Sequence, residues 1–248
     1  MGGITTDIWT GLAFCTRLPH RLETTGAGLA RAGWTFPLIG ALVGAFAAVT
    51  YWLASAIGLY PFVSATLAVA VTVLVTGALH EDGLADTADG FGGGATKARK
   101  LEIMRDSRSG TYGVSALVLS FMLCAGAIAS LVEPGLVAAA LIAAHAGARA
   151  TMPVFMLALP RARQDGLSAR AGKPPLGSVI AAVMLGMLVA SLCLGPASAL
   201  IAAALVAAAV CIMAWLSGRQ IGGQTGDVLG AVEQVSEILI LLAAAALL

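Results

Sequence analysis

The sequence predicts an all-α fold: a polytopic integral membrane helix bundle of about seven transmembrane spans, preceded by an N-terminal interfacial helix. Three observations predict it. The 248 residues are 59% hydrophobic and only 11% charged, against about 25% charged in a soluble globular chain, and the mean hydropathy is +0.93. Apolar runs of ~20 residues, long enough to cross a bilayer as a helix, recur along the whole chain. Basic residues occupy only alternate connections between those runs, the pattern that fixes orientation.

The elements follow in order. Residues 7–18, DIWTGLAFCTRL, are apolar but too short to span, and Pro19 stops them, so they are expected to lie in the membrane plane. A first span runs from about Trp34 to Leu59, and Gly58 and Pro61 mark the turn into a second, about Phe62 to Leu79. A polar connection, 80–111, precedes the third span, Tyr112 to Val132. After Glu133-Pro134-Gly135 a fourth, Leu136 to Leu159, carries His145 and Arg149 inside it. A second polar connection, 160–177, leads to spans at Ser178–Leu194 and Ala197–Leu216, and a third, 217–227, to a last span at Val228–Leu248. With no repeat of fixed period, one domain covering 1–248 is expected, its active-site loops being the three polar connections.

Arg17, Arg21, Arg31, Lys97, Arg99, Lys100, Arg105, Arg108, Arg161, Arg163, Arg170, Lys173 and Arg219 all fall on one side in this threading. The turns around Gly58, Glu133 and Gly195 contain no Lys or Arg, so the polar loops are expected to face the cytoplasm. The balance of 14 basic and 13 acidic residues gives no pull toward nucleic acid. The four cysteines form no CxxC pair and read as apolar fillers.

Chemistry concentrates in the polar connections. If the second helix continues past the bilayer, Asp82, Asp86 and Asp89, spaced by four and three, project from one of its faces. Like charges so placed repel unless a cation sits among them, and an all-carboxylate set suits Mg²⁺, with Mn²⁺ as a substitute. A solvated helix end accounts for one or two such acids, less well for three. His80 reads as a base or as a polar residue at the interface. The glycine run from Gly90 can present backbone N–H groups to a phosphate, although no Walker A loop is present. Arg105 and Arg108, on one face if helical, can fork onto phosphate oxygens; loop anchoring is their bland alternative. Asp106 between them is a candidate ligand, base or salt-bridge partner. In the turn GGQTGD, Gln224 and Thr225 are candidate substrate contacts, and Asp227 is a catalytic candidate or a helix cap. Within the spans, Glu233 and Glu237 call for a partner, and Arg149 with His145 one turn away provides it. Arg149 and Glu237 therefore either line a substrate cavity or form a structural ion pair.

The chain resembles the cobalamin synthase family, the adenosylcobinamide-GDP ribazoletransferases. The resemblance rests on FCTRLP (14–19), FPLIG (36–40), GALHEDGLADTADG (77–90), LEIMRDSRSGTYG (101–113) and GGQTGDVLGA (222–231), in that order. It implies a Mg²⁺-dependent transferase of the inner membrane, acting in vitamin B12 biosynthesis. Such an enzyme joins adenosylcobinamide-GDP to α-ribazole or its 5′-phosphate and releases GMP. The expected partners are those two small molecules and membrane lipid, with a homo-oligomer compatible. CDP-alcohol phosphotransferases use similar logic, but their D-x-x-D-G-x-x-A-R signature is not met. A secondary transporter would also be polytopic with Arg149, Glu233 and Glu237 buried, yet the acids cluster at the edge rather than at the midplane where transporter sites lie.

Overall fold

The computed structural model describes residues 3–19, 28–166 and 170–248; Arg21, counted above among the basic residues, lies outside them. Eleven α-helices carry the described architecture, with no strand among the described residues. They are α1 (Ile4–Cys15), α2 (Leu29–Ala32), α3 (Phe36–Ala56), α4 (Pro61–Thr76), α5 (Leu79–Gly93), α6 (Lys97–Ile103), α7 (Thr111–Leu131), α8 (Pro134–Ala158), α9 (Leu176–Leu194), α10 (Pro196–Ile221) and α11 (Gly226–Leu247). Among the described residues six helical segments are long and apolar enough to span, or up to seven if the bent α4–α5 pair supplies one crossing. Turn chemistry sets the boundaries: Pro61, Pro134 and Pro196 open helices, where the missing N–H costs nothing. Glu133 caps α8 by accepting from the N–H groups of Gly135 and Leu136.

Burial sorts the spans by polarity. In α8, 67% of the most apolar window is buried and its mean hydropathy is 1.3, whereas α10 has 17% buried and a hydropathy of 2.6. The helix that carries polar groups is thus enclosed by protein, and the most apolar helix faces outward, as a lipid solvent requires. α8 packs mainly against α3, α9 and α11. Close approach of α3 is possible because of Gly40 and Gly44: a methyl at either would overlap the backbone at His145 or Leu141. The GxxxG pair serves packing within one chain, as expected.

The second helix does not run on past the bilayer as a single rod. The chain breaks at Gly77 and Ala78, both with positive φ (68° and 57°), and α5 leaves α4 at 91°. The segment following α1 braces this corner, Arg17 donating its backbone N–H to the Val75 carbonyl at 2.7 Å. α5 consequently lies across the N-terminal ends of α7 and α11, with Gly83 packed on Asp227 and Gly230. α1 exposes Ile4, Ile8 and Trp9, and is also tied to the bundle by its buried Asp7, which accepts from Arg31 at 2.7 Å and from the Trp34 indole at 3.1 Å.

Candidate active site

The three polar connections meet at one end of the bundle. The backbone of Gln224 donates to Pro160 and accepts from Ala162, at 2.8 and 2.9 Å, joining the second connection to the third. Arg105 reaches from the first to Asp165 in the second at 2.6 Å, and Arg163 Nη2 lies 3.2 Å from Asp227 Oδ2. Thr225 caps α11 by accepting from the Val228 N–H and donates its hydroxyl to Asp227 Oδ2 at 3.1 Å.

The acids of α5 separate by environment. Asp82 is exposed, Asp86 half-buried and Asp89 buried. Asp89 is clamped, its two oxygens accepting from the backbone N–H groups of Gly110 (2.7 Å) and Gly113 (2.8 Å). It therefore docks the start of α7 onto α5. Asp82 and Asp227 instead face one cleft of about 250 Å³ between α1, α3, α5, α8 and α11, with His80 and Arg163 also in its wall. Burial, and then the charges of Asp82, Asp227 and Asp89, push the Asp86 carboxyl up to about 7. These carboxylate oxygens from two helices, their negative charge offset only in part by Arg163, are the donor type that a hard divalent cation takes.

The loop after α6 differs from the sequence expectation. α6 ends at Ile103, so Arg105 and Arg108 are loop residues and share no helix face. Each has a carboxylate partner: Arg105 holds Asp165, and Arg108 grips Asp106 with two hydrogen bonds, at 3.0 and 2.7 Å. Those bonds hold the Asp106 carboxyl down at about 2, making it a persistent anion and a weak proton acceptor. Asp89, Asp106, Arg108 and Tyr112 line a second, more open cavity of about 470 Å³.

Arg149 and Glu237 sit deeper, in the span interior, and do not line the cleft. Arg149 Nη1 lies 2.7 Å from Glu233 Oε1, and His145 Nδ1 lies 2.8 Å from Glu237 Oε2. Of the two carboxylates expected to pair with Arg149, Glu233 does so, whereas Glu237 pairs with His145. His80 links it to the cleft, with Nδ1 at 3.5 Å from Glu233 and 3.4 Å from Arg149. Among the described residues, His145, Glu233 and Glu237 are the group whose ligand atoms all lie within 4.8 Å of one another. The guanidinium on Glu233 already supplies positive charge to that group. Gly90 admits α6 rather than a ligand, because a side chain there would overlap Met104. In the sequence Arg163 is only one of the orientation charges, and Glu81 carries no assigned chemistry. The first lines the cleft and the second is buried on α5. No motif spacing singles out Arg163; only the folding of its loop onto Asp227 does.

A family model described as cobalamin-5-phosphate synthase matches residues 7–245. The chain is 55% identical over 242 residues to an adenosylcobinamide-GDP ribazoletransferase of Bradyrhizobium diazoefficiens, covering 97% of this chain and 93% of that protein. It is 47% identical over 239 residues to the protein of that name from Mesorhizobium japonicum (96% and 92% covered), and 45% over 250 residues to that of Azorhizobium caulinodans (96% and 95%). No solved structure matches.

Proposed function

Since the chain belongs to the cobalamin-5-phosphate synthase family, we propose that it joins adenosylcobinamide-GDP to α-ribazole or its 5′-phosphate, giving adenosylcobalamin or its 5′-phosphate and GMP. The observation that carries this reading is the single cleft onto which Asp82 of α5, Asp227 of α11 and Arg163 of the second polar loop converge. It would supply oxygen ligands to a cation and a guanidinium to the pyrophosphate beside it.

Asp82 and Asp86, with Asp227 across the cleft, would hold Mg²⁺, or Mn²⁺ in its place. Bound there, the cation supplies positive charge to the pyrophosphate and to the departing phosphate of GMP. Arg163 adds a second positive charge, its guanidinium fixed by Asp227 and suited to forked contact with phosphate oxygens. The attacking ribose hydroxyl forms a new O–P bond at the cobinamide-side phosphorus as the bridging bond to the GMP phosphate breaks. Its proton passes to Asp227, whose Oδ2 is already oriented by Thr225 and Arg163. Asp89 contributes by docking the 106–113 loop. The basic residues of the three polar connections support a multi-pass placement in the cytoplasmic membrane with this end inward. GMP release from adenosylcobinamide-GDP by purified protein tests the reading: it should require both α-ribazole and Mg²⁺. Release with lipid alcohols in place of α-ribazole would overturn it.

A further inference from the structure

The cleft has two chemically distinct halves. His80, Asp82, Arg163 and Asp227 form one; Phe14, Leu29, Phe36, Met152 and Met156 are prominent in the other. The rings of Phe14 and Phe36 stack on one another with centroids 5.4 Å apart and planes inclined by 24°, giving this half a fixed aromatic pair. Phe36 and Met152 are almost completely buried, at 1% and 2% exposure, so this half belongs to the protein core.

Resting on the reading of the previous subsection, we propose that the apolar half is the acceptor subsite. It takes the dimethylbenzimidazole base of α-ribazole and so presents the ribose hydroxyl to the Asp227 and Arg163 end. Size and polarity both decide the occupant. The whole cleft, about 250 Å³, falls just below the usual range of ligand pockets; its apolar half has room for no more than one bicyclic ring system, and a corrin macrocycle with its amide arms is several times too large. The other bicyclic base in the reaction is the guanine of the donor, which carries several hydrogen-bonding groups on its edges. Burying such groups against Phe, Leu and Met leaves them without hydrogen-bond partners, which is unfavourable. Dimethylbenzimidazole presents two methyl groups and one imine nitrogen, and it matches an aromatic and thioether lining. The donor is then left to approach the acids from outside the apolar half.

The experiment uses full-length protein in nanodiscs. Initial rates are measured as a function of each substrate, and α-ribazole binding is followed calorimetrically without donor. Met152→Trp and Met156→Phe fill the apolar half; Phe14→Ala opens it. The filled variants should raise KM for α-ribazole by at least about tenfold, weaken its direct binding in parallel, and leave KM for adenosylcobinamide-GDP within about twofold. Phe14→Ala should let ribosides of bulkier apolar bases compete. A raised donor KM with an unchanged acceptor KM would assign the cleft to guanine and overturn the proposal. So would an affinity that follows the acyl composition of the nanodisc and not the cleft variants. Should Met152→Trp fail to elute as a folded species, Met156→Phe and Phe14→Ala carry the test. Wild-type protein without turnover would refute the overall reaction, whereas normal wild-type turnover with no acceptor shift in any folded variant refutes the subsite alone.

Discussion

Asp89 Oδ1 accepts the backbone N–H of Gly113 at 2.8 Å, and its other oxygen takes Gly110. An acid at the third position of the Asp82–Asp86–Asp89 series is thus committed to holding the start of α7. Asp89→Asn turns one acceptor into a donor facing a donor. A stability loss of about 1–3 kcal/mol is expected, read as a lower midpoint of thermal inactivation in detergent. The Mg²⁺ concentration for half-maximal activity should stay put in the surviving protein; a large rise would return Asp89 to the cation site.

Asp82→Asn and Asp227→Asn should behave in the opposite way. Both keep shape and fold while removing charge from the cleft, so kcat should fall by about 10²-fold or more and the Mg²⁺ requirement should rise. Retained activity with an unchanged Mg²⁺ titration in both variants would exclude these residues from the site.

Asp86 gives a pH signature. Its carboxyl is raised to about 7, by burial first and then by Asp82 and Asp227, so below that pH the neutral form predominates and a cation must displace its proton. Apparent Mg²⁺ affinity should weaken by up to about tenfold per unit below pH 7 and level off above it. The sign for folding is the reverse of that for a salt-bridged carboxylate. The folded state favours the protonated form, so stability without metal should decline as pH rises from the ordinary carboxylate range through 7. Metal titrations at pH 6, 7 and 8, repeated on Asp86→Asn, check the slope, which the variant should flatten.

Within the spans, Glu233→Gln or Arg149→Met leaves one member of a buried pair uncompensated. A loss of about 3–5 kcal/mol is expected, seen as poor recovery of folded protein. The double variant Arg149→Met with Glu233→Leu should recover part of that loss. Additive losses in the double variant would mean that the two residues do not depend on each other.

Orientation is open to direct measurement in a cysteine-free background. Arg105→Cys should react with an impermeant maleimide in inside-out vesicles, and Glu133→Cys in right-side-out cells. The converse labelling would invert the bundle.

Most of the bundle was legible because lipid imposes a simple rule: spans must be apolar and about 20 residues long. The pairing of Arg149 with Glu233 followed from the cost of leaving either alone. The corner at Gly77–Ala78 was less legible, because an αL alanine has no composition signature and depends on the brace from the segment following α1. Arg105 and Arg108 were expected on one helix face from spacing alone, but α6 stops at Ile103, and a salt bridge to the second loop (Asp165) holds Arg105 while one within its own loop (Asp106) holds Arg108. The role of Arg163 depends wholly on a tertiary contact.

The enclosed α8 also constrains how the protein is made. As α8 leaves the ribosome, Arg149 and His145 enter the membrane while their carboxylate partners, on α11, have yet to be synthesised. A span of modest hydropathy must wait with a charged group near the bilayer interior, a penalty of about 2.5–3.5 kcal/mol on translocon scales. Biogenesis is therefore completed from the C-terminal side: nascent chains that stop before α11 should be left as unassembled substrates for membrane quality control.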